Sequence, residues 1–238
     1  MKYASSPEEK KQLLAALDKF EFEAPTTIKD NPLIVISGAQ GTHKTHLACT
    51  MSETMPTYLL DSEHRGHIVA RKFPKNLFYK QVSNYNDVVV ATHAIFKVAK
   101  EPSAIIIDSG SDFQQYAETR YKEVAKVEKI WPQYLWAMIW DMCDRLLYDI
   151  RDSGHTLIMT TRVKDEYIGD KPTGKMVPRI YNRVPYAADI MLEMTGDSKK
   201  PIITTKNGYF ADELKQFTTE LSLPEIIKQI KSPWYMKK

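Results

Sequence analysis

The chain has 238 residues, enough for one large domain or two small ones, and its 43% hydrophobic and 26% charged content is that of an ordinary soluble globular protein. No run of about 18 apolar residues occurs, so no membrane span is expected. A net charge of +3 permits nucleic-acid binding without arguing for it, so any such site must come from local clustering.

The N-terminal stretch Met1 to Lys11 is polar and does not read as a signal peptide. Ser6-Pro7-Glu8-Glu9 predicts a helix start, with Ser as N-cap, Pro at the first position and Glu three residues after the cap. Leu13, Leu14, Leu17 and Phe20 continue it at helical spacing. Residues 1–30 are therefore expected to form a helix and linker, and residues 31–238 the main domain.

Leu33-Ile34-Val35-Ile36 is an apolar run that ends in the loop Ser37-Gly38-Ala39-Gln40-Gly41-Thr42-His43-Lys44-Thr45, followed by the apolar positions Leu47 and Ala48. Strand, glycine loop, Lys-Thr and helix start form the layout of a Walker A motif. Glycines let backbone N–H groups turn toward phosphates. On this reading residues 38–46 (Gly38, Ala39, Gln40, Gly41, Thr42, His43, Lys44, Thr45 and His46) cradle a nucleotide. Lys44 reaches the terminal phosphates and the Thr45 hydroxyl binds magnesium. The bland alternative is a strand-turn-helix corner that binds nothing. The motif wants glycine where this chain has His43, and a Cβ restricts positive φ.

The P-loop helix is expected over about 44–54. Thr57 to Leu60 predicts a strand ending in Asp61-Ser62-Glu63-His64, then a helix over 65–72. Leu77 to Val82 predicts a strand, and Asn84 or Asn86 opens a helix to about Lys100. Ala104-Ile105-Ile106-Ile107-Asp108-Ser109 is an apolar strand ending in an acid, the Walker B pattern, whose carboxylate holds magnesium. The alternative for Asp108 is a helix N-cap. Residues 111–151 read as helical with a break near Trp131-Pro132. Trp136, Ile139, Trp140, Cys143, Leu146 and Leu147 give the second part a core-facing side. Cys49 and Cys143, the two cysteines, read as buried free thiols of a reducing compartment.

Thr156 to Thr161 is the next strand. The polar stretch from Lys164 to Arg183 is expected to be a loop carrying Lys164, Lys171, Lys175, Arg179 and Arg183, interleaved with Tyr167 and Tyr181. Such a loop suits single-stranded DNA, through phosphate contacts and base stacking; the alternative is a solvated surface loop. Ala188 to Met194 and Pro201 to Thr205 predict two late strands, and Pro224 starts a last helix. The alternation of buried strands and helices predicts an α/β fold with a mainly parallel central sheet covered on both faces. His43 and His46, with His64 and His67, make two His-x-x-His pairs; a polar rim around the phosphates is preferred to a transition-metal site.

Tyr58-Leu-Leu-Asp61-Ser-Glu63-His64, placed after the P-loop and before the Asp108 strand, resembles the strand of RecA-like P-loop ATPases that carries the catalytic glutamate. The resemblance covers roughly residues 30–206, and within that superfamily the size and compact C-terminus look like those of phage nucleotide-binding ATPases, which include single-strand-annealing proteins. It implies a sheet in which the Asp108 strand lies beside the Glu63 strand, and the Thr161 strand lies between those and the P-loop strand. It implies ATP with Mg2+, Glu63 orienting or deprotonating the attacking water, Asp108 supporting the metal and Thr161 sensing the γ-phosphate. Lys206 takes a position from which such proteins reach a neighbour's nucleotide. The position from which an aromatic often stacks on adenine in that superfamily falls near Ala70, a departure from its pattern. The implied protein hydrolyses ATP, binds single-stranded DNA, forms a homo-oligomer and works in the cytoplasm (of a host cell, if phage-encoded). The alternatives are a small-molecule phosphotransferase and a non-hydrolysing nucleotide-dependent binding module.

Overall fold

The computed structural model describes residues 32–100, 102–129, 134–181, 183–196, 202–206, 216–218 and 220–230, with a few positions before residue 16. The expected N-terminal helix falls largely outside these residues, although Pro7, Glu8, Lys11, Gln12 and Ala15 are helical.

Ten strands are described: β1 Leu33–Gly38, β2 Thr57–Asp61, β3 Leu77–Gln81, β4 Ala104–Asp108, β5 Thr156–Thr161, β6 Val163–Ile168, β7 Lys171–Pro178, β8 Ile190–Thr195, β9 Ile202–Lys206 and β10 Gln216–Thr218. Eight of them form one sheet in the order β10-β9-β8-β1-β5-β4-β2-β3. From β8 to β3 every pairing is parallel, and β9 and β10 extend the sheet antiparallel. The expected neighbour relations hold: β4 lies beside β2, and β5 lies between β4 and β1.

The apolar runs dictate this arrangement. β1, β4 and β5 are buried along their whole length, as strands covered on both faces must be. Alternate residues serve opposite layers. Leu33, Val35, Ile105, Ile107, Leu157 and Met159 face one core cluster; Ile34, Ile36, Ile106 and Ile158 face the other. Helices α3 (Tyr85–Val98), α4 (Gly110–Ala125) and α5 (Tyr134–Asp152) supply the first layer through Val88, Ile95, Phe113, Ala117, Ile139, Cys143, Leu146 and Ile150. Helix α1 (Lys44–Cys49) and the C-terminal helix α7 (Leu223–Ile230) supply the second through Leu47, Ala48, Ile226 and Ile230. Each isoleucine of the central strands contributes about 1.5–3 kcal/mol relative to leaving it exposed. Two further short helices are described, α2 (Gly66–Ala70) and α6 (Arg183–Ala187).

Four differences from the sequence reading stand out. The P-loop helix stops at Cys49 and gives way to a 3-10 turn over Thr50–Glu53. The stretch expected to be a loop after Lys164 is a β-hairpin: β6 and β7 pair antiparallel as a separate two-stranded sheet, and α6 follows. The strand of Ile202–Lys206 is not the last, since β10 pairs with it. The helix before the Trp131-Pro132 break ends at Ala125, where Lys126 takes the left-handed conformation.

Parallel strands bring their C-terminal ends to one edge. Ser37 is in register with Thr161, and Asp61 with Asp108. The loops after β1, β2, β4 and β5 therefore meet outside that edge, where ligands bind in open α/β sheets.

Candidate active site

The loop after β1 has its shape fixed by two residues. A Cβ at Gly38 would stand 2.6 Å from the Met194 carbonyl oxygen of β8 and 2.8 Å from Thr42 Oγ1, so only glycine fits. His43, at the position where the motif has glycine, adopts φ 65° and ψ 25° and forms the N-cap position of α1. The histidine is thus accommodated in the left-handed region, at a cost of about 1–2 kcal/mol.

Lys44 folds over this loop, its Nζ donating to the carbonyls of Gly38 (2.9 Å) and Ala39 (2.7 Å). Burial lowers its pKa below the ordinary lysine value, while Glu63 and Asp108 pull it back up. Thr45 Oγ1 donates to Asp108 Oδ2 at 2.8 Å, and Thr160 Oγ1 donates to Asp108 Oδ1. Asp108 is 3% exposed. Burial pushes its carboxyl up to about 6, against the pull of those two hydroxyl donors. The N-cap of α4 is Ser109, whose hydroxyl accepts from Asp112 N, so Asp108 is not the cap. A hydroxyl and a carboxylate in contact are hard oxygen donors of the kind that suits Mg2+. The ammonium beside them suits phosphate, so the residues present fit a magnesium nucleotide.

The turn after β2 is built on Asp61. This carboxylate is fully buried and accepts from Glu63 N (3.0 Å), Gly66 N (2.8 Å) and Tyr79 OH (2.9 Å). It holds the backbone that presents Glu63. The Glu63 carboxylate Oε1 accepts from Arg162 Nε (3.1 Å) and Nη2 (2.9 Å), and Nη2 also reaches Asp112 Oδ2 at 3.2 Å. Asp112 is itself held by Ser62 and Ser109 hydroxyls. Thr161 is fully buried, and its hydroxyl donates to the Arg162 carbonyl at 2.8 Å. Glu63, Lys44, Thr45 and Asp108 are thus brought to one place. Thr160 and Arg162 belong to the same network and carry no motif of their own.

The expected histidine rim is scattered in its contacts. His46 meets Phe73 edge-on at 5.3 Å, His64 bonds Gln81, and His67 meets Tyr79 edge-on at 6.3 Å. Among the described residues no group of three or more His, Cys, Asp or Glu is placed to hold a metal ion. Phe73, three residues after Ala70, packs beside α1 through its contact with His46. Cys49 and Cys143 are buried free thiols; burial pushes Cys49 up to about 12 and Cys143 higher still.

The expected nucleic-acid residues divide into two groups. Lys164, Tyr167, Lys171 and Lys175 are exposed on the hairpin and Arg179 is exposed at its foot. Tyr181 is only 3% exposed and donates to Asp144 Oδ1, so no base can stack on it. Arg183 pairs with Asp144 Oδ2 at 2.6 Å and lies over the Trp140 ring, which engages its guanidinium within the fold. At the foot of the hairpin Lys164 and Arg179 border an open cleft of about 1060 Å³ with Gln115, Lys122, Trp136 and Trp140. The backbone of Lys206 is in register with Met191, which is level with Val35 of β1. It therefore sits below the P-loop end of the sheet.

A P-loop on β1, an acid ending β4, a glutamate after β2 and this strand order define a RecA-like P-loop fold. The chain belongs to the AAA domain family, which matches residues 30–217. The crystal structure of the RadB recombinase is similar in fold: TM-score 0.55 at 13% identity, covering 80% of this chain and 87% of that one. No curated protein sequence matches the chain. Among the described residues no helix is long and apolar enough to cross a membrane.

Proposed function

We propose that this protein is a magnesium-dependent ATPase that acts on single-stranded DNA in recombination or annealing of the phage type. The observation that carries the nucleotide reading is the convergence of Lys44, Thr45, Asp108 and Glu63 at one end of the sheet. In this reading Lys44 trades its carbonyl contacts on Gly38 and Ala39 for phosphate oxygens, and Thr45 and Asp108 are the residues that would hold Mg2+, which when bound would supply charge neutralisation at the phosphates. Glu63 takes the proton of the attacking water as the water oxygen bonds to the γ-phosphorus and the β–γ bridging bond breaks, releasing ADP. Thr161 and Lys206 keep the roles of γ-phosphate sensor and contact to a neighbour's nucleotide as proposals.

The DNA reading is supported by the exposed basic and aromatic residues of the hairpin, the basic and Trp-lined cleft beneath it, and the naming of the similar RadB protein as a recombinase. Assembly into a homo-oligomer is supported by the sheet edge. β3 is one of the two edge strands described, and Phe78, Val90 and Val98 around it are 51%, 67% and 70% exposed. The phage setting and a cytoplasmic location rest on the sequence resemblance alone. Phosphate release from ATP, measured with and without an unstructured single strand, tests the proposal: stimulated release supports it. ATP binding without release would leave a nucleotide-dependent binding module instead.

A further inference from the structure

Glu63 is carried by a turn, not by a strand, so its carboxylate is only as well placed as that turn. The turn runs from Asp61, the last residue of β2, to Gly66, the first of α2. His64, directly after Glu63, takes the left-handed region at φ 61°. A non-glycine residue persists there only when its surroundings over-determine the backbone.

Two neighbours of Glu63 supply those surroundings. Ser62 N donates to Asp108 O at 2.6 Å and Ser62 Oγ accepts from Ser109 N at 2.9 Å, which ties the turn to the end of β4. Asp61 Oδ1 accepts from Glu63 N, and Oδ2 accepts from both Gly66 N and Tyr79 OH. The two oxygens of one carboxylate therefore grip the turn on either side of His64. The fit at Gly66 is close: a Cβ there would stand 3.0 Å from Asp61 Cγ.

Tyr79 reaches this carboxylate from another strand. It lies on β3 in register with Leu59, two residues before Asp61, and so on the same side of the sheet. Its ring meets His67 of α2 edge-on. Burial and the Asp61 carboxylate push its hydroxyl up to about 12, so it stays a donor at neutral pH.

We propose that Asp61 and Tyr79 are positioning residues for the chemical step: Asp61 sets the turn that aims Glu63, and the Tyr79 hydroxyl fixes the orientation of Asp61. This rests on the reading of Glu63 as the base. Asp61→Asn cannot reproduce the pattern, since an amide has one acceptor end and one donor end, and an N–H of the turn then always meets an N–H. Tyr79→Phe keeps the ring and loses only the hydroxyl.

The test compares wild type, Asp61→Asn, Tyr79→Phe and Glu63→Gln, with each of the first two variants also made on the Glu63→Gln background, all confirmed as folded by thermal melting. Asp61→Asn is expected to lower kcat about tenfold or more and Tyr79→Phe about threefold or more, each changing Mg-ATP affinity by less than about twofold. On the Glu63→Gln background each is expected to change turnover by less than about twofold, because a residue that acts through Glu63 has nothing left to position. A packing defect would carry over to that background. The second readout needs no turnover: hydrogen exchange of the Glu63 and Gly66 amides, expected to be at least about threefold faster in Tyr79→Phe than in wild type. If Asp61→Asn does not fold, Tyr79→Phe carries both readouts. Wild-type turnover and exchange in folded Tyr79→Phe, or a loss that persists in full on the Glu63→Gln background, would overturn the positioning role and leave the ATPase standing. Undiminished turnover in Glu63→Gln would overturn Glu63 as the base, and the positioning role with it.

Discussion

Thr45 and Asp108 lie 63 residues apart in the chain and meet at 2.8 Å, hydroxyl to carboxylate, across the end of the sheet. The contact joins the P-loop to the strand that ends in an acid. It also sets up an electrostatic cost, because Asp108 is 3% exposed and its neighbourhood includes Glu63 and Asp61.

That cost depends on pH. The Asp108 carboxyl titrates near 6 in the folded protein, against 3.8 for an ordinary aspartate, because burial disfavours its charged form. Between those values the folded state holds a proton that the unfolded chain lacks. The penalty is therefore full above about 6 and is relieved as pH falls toward 4, amounting to about 2–3 kcal/mol at neutral pH. Asp108→Asn removes it. The nucleotide-free variant is expected to melt higher than wild type at pH 8, with the gap closing as pH drops through 6. A gap that stays constant from pH 8 to pH 4 would rule out burial of the charged carboxylate as its cause.

Lys44→Ala is expected to weaken Mg-ATP binding by about 100-fold or more, the loss of one or two charge-assisted hydrogen bonds. Calorimetric titration of a protein shown to be folded measures it. Unchanged affinity would end the P-loop reading of residues 38–46.

Replacing Lys164 and Lys171 with Gln is expected to weaken binding to a single strand and to lower the salt slope by about 1.4, two phosphate contacts at about 0.7 each. Tyr167→Ala is expected to cost about 1–3 kcal/mol of that affinity if its exposed ring takes a base. Tyr181→Phe serves as the contrast. It loses the bond to Asp144 and should lower the melting temperature while leaving strand affinity in place. Anisotropy and light scattering, run together, separate lost DNA contact from altered assembly.

The sheet could be read from the chain because β1, β4 and β5 are apolar on both faces and each ends at a recognisable chemical group. The hairpin could not. Its residues are largely exposed, Pro172, Gly169 and Gly174 interrupt it, and no apolar alternation marks its strands. Tyr181 looks like a surface ring in the sequence because its neighbours there are basic; its partner Asp144 is 37 residues away. Arg162 gives no signal for the same reason: Glu63 is 99 residues distant, and nothing local in the sequence joins them. The Thr45–Asp108 pair is legible because both residues sit at fixed places in motifs whose chemistry demands them.

The proposed function gives Glu63 the chemical step beside Lys44, Thr45 and Asp108, and the ATPase reading depends on it. The decisive measurement is the steady-state turnover of Glu63→Gln beside wild type, with Mg-ATP affinity determined for both. The variant keeps the shape of the side chain and loses the base, so turnover is expected to fall by about 100-fold or more while affinity holds. An undiminished turnover number in Glu63→Gln would show that Glu63 is not the base.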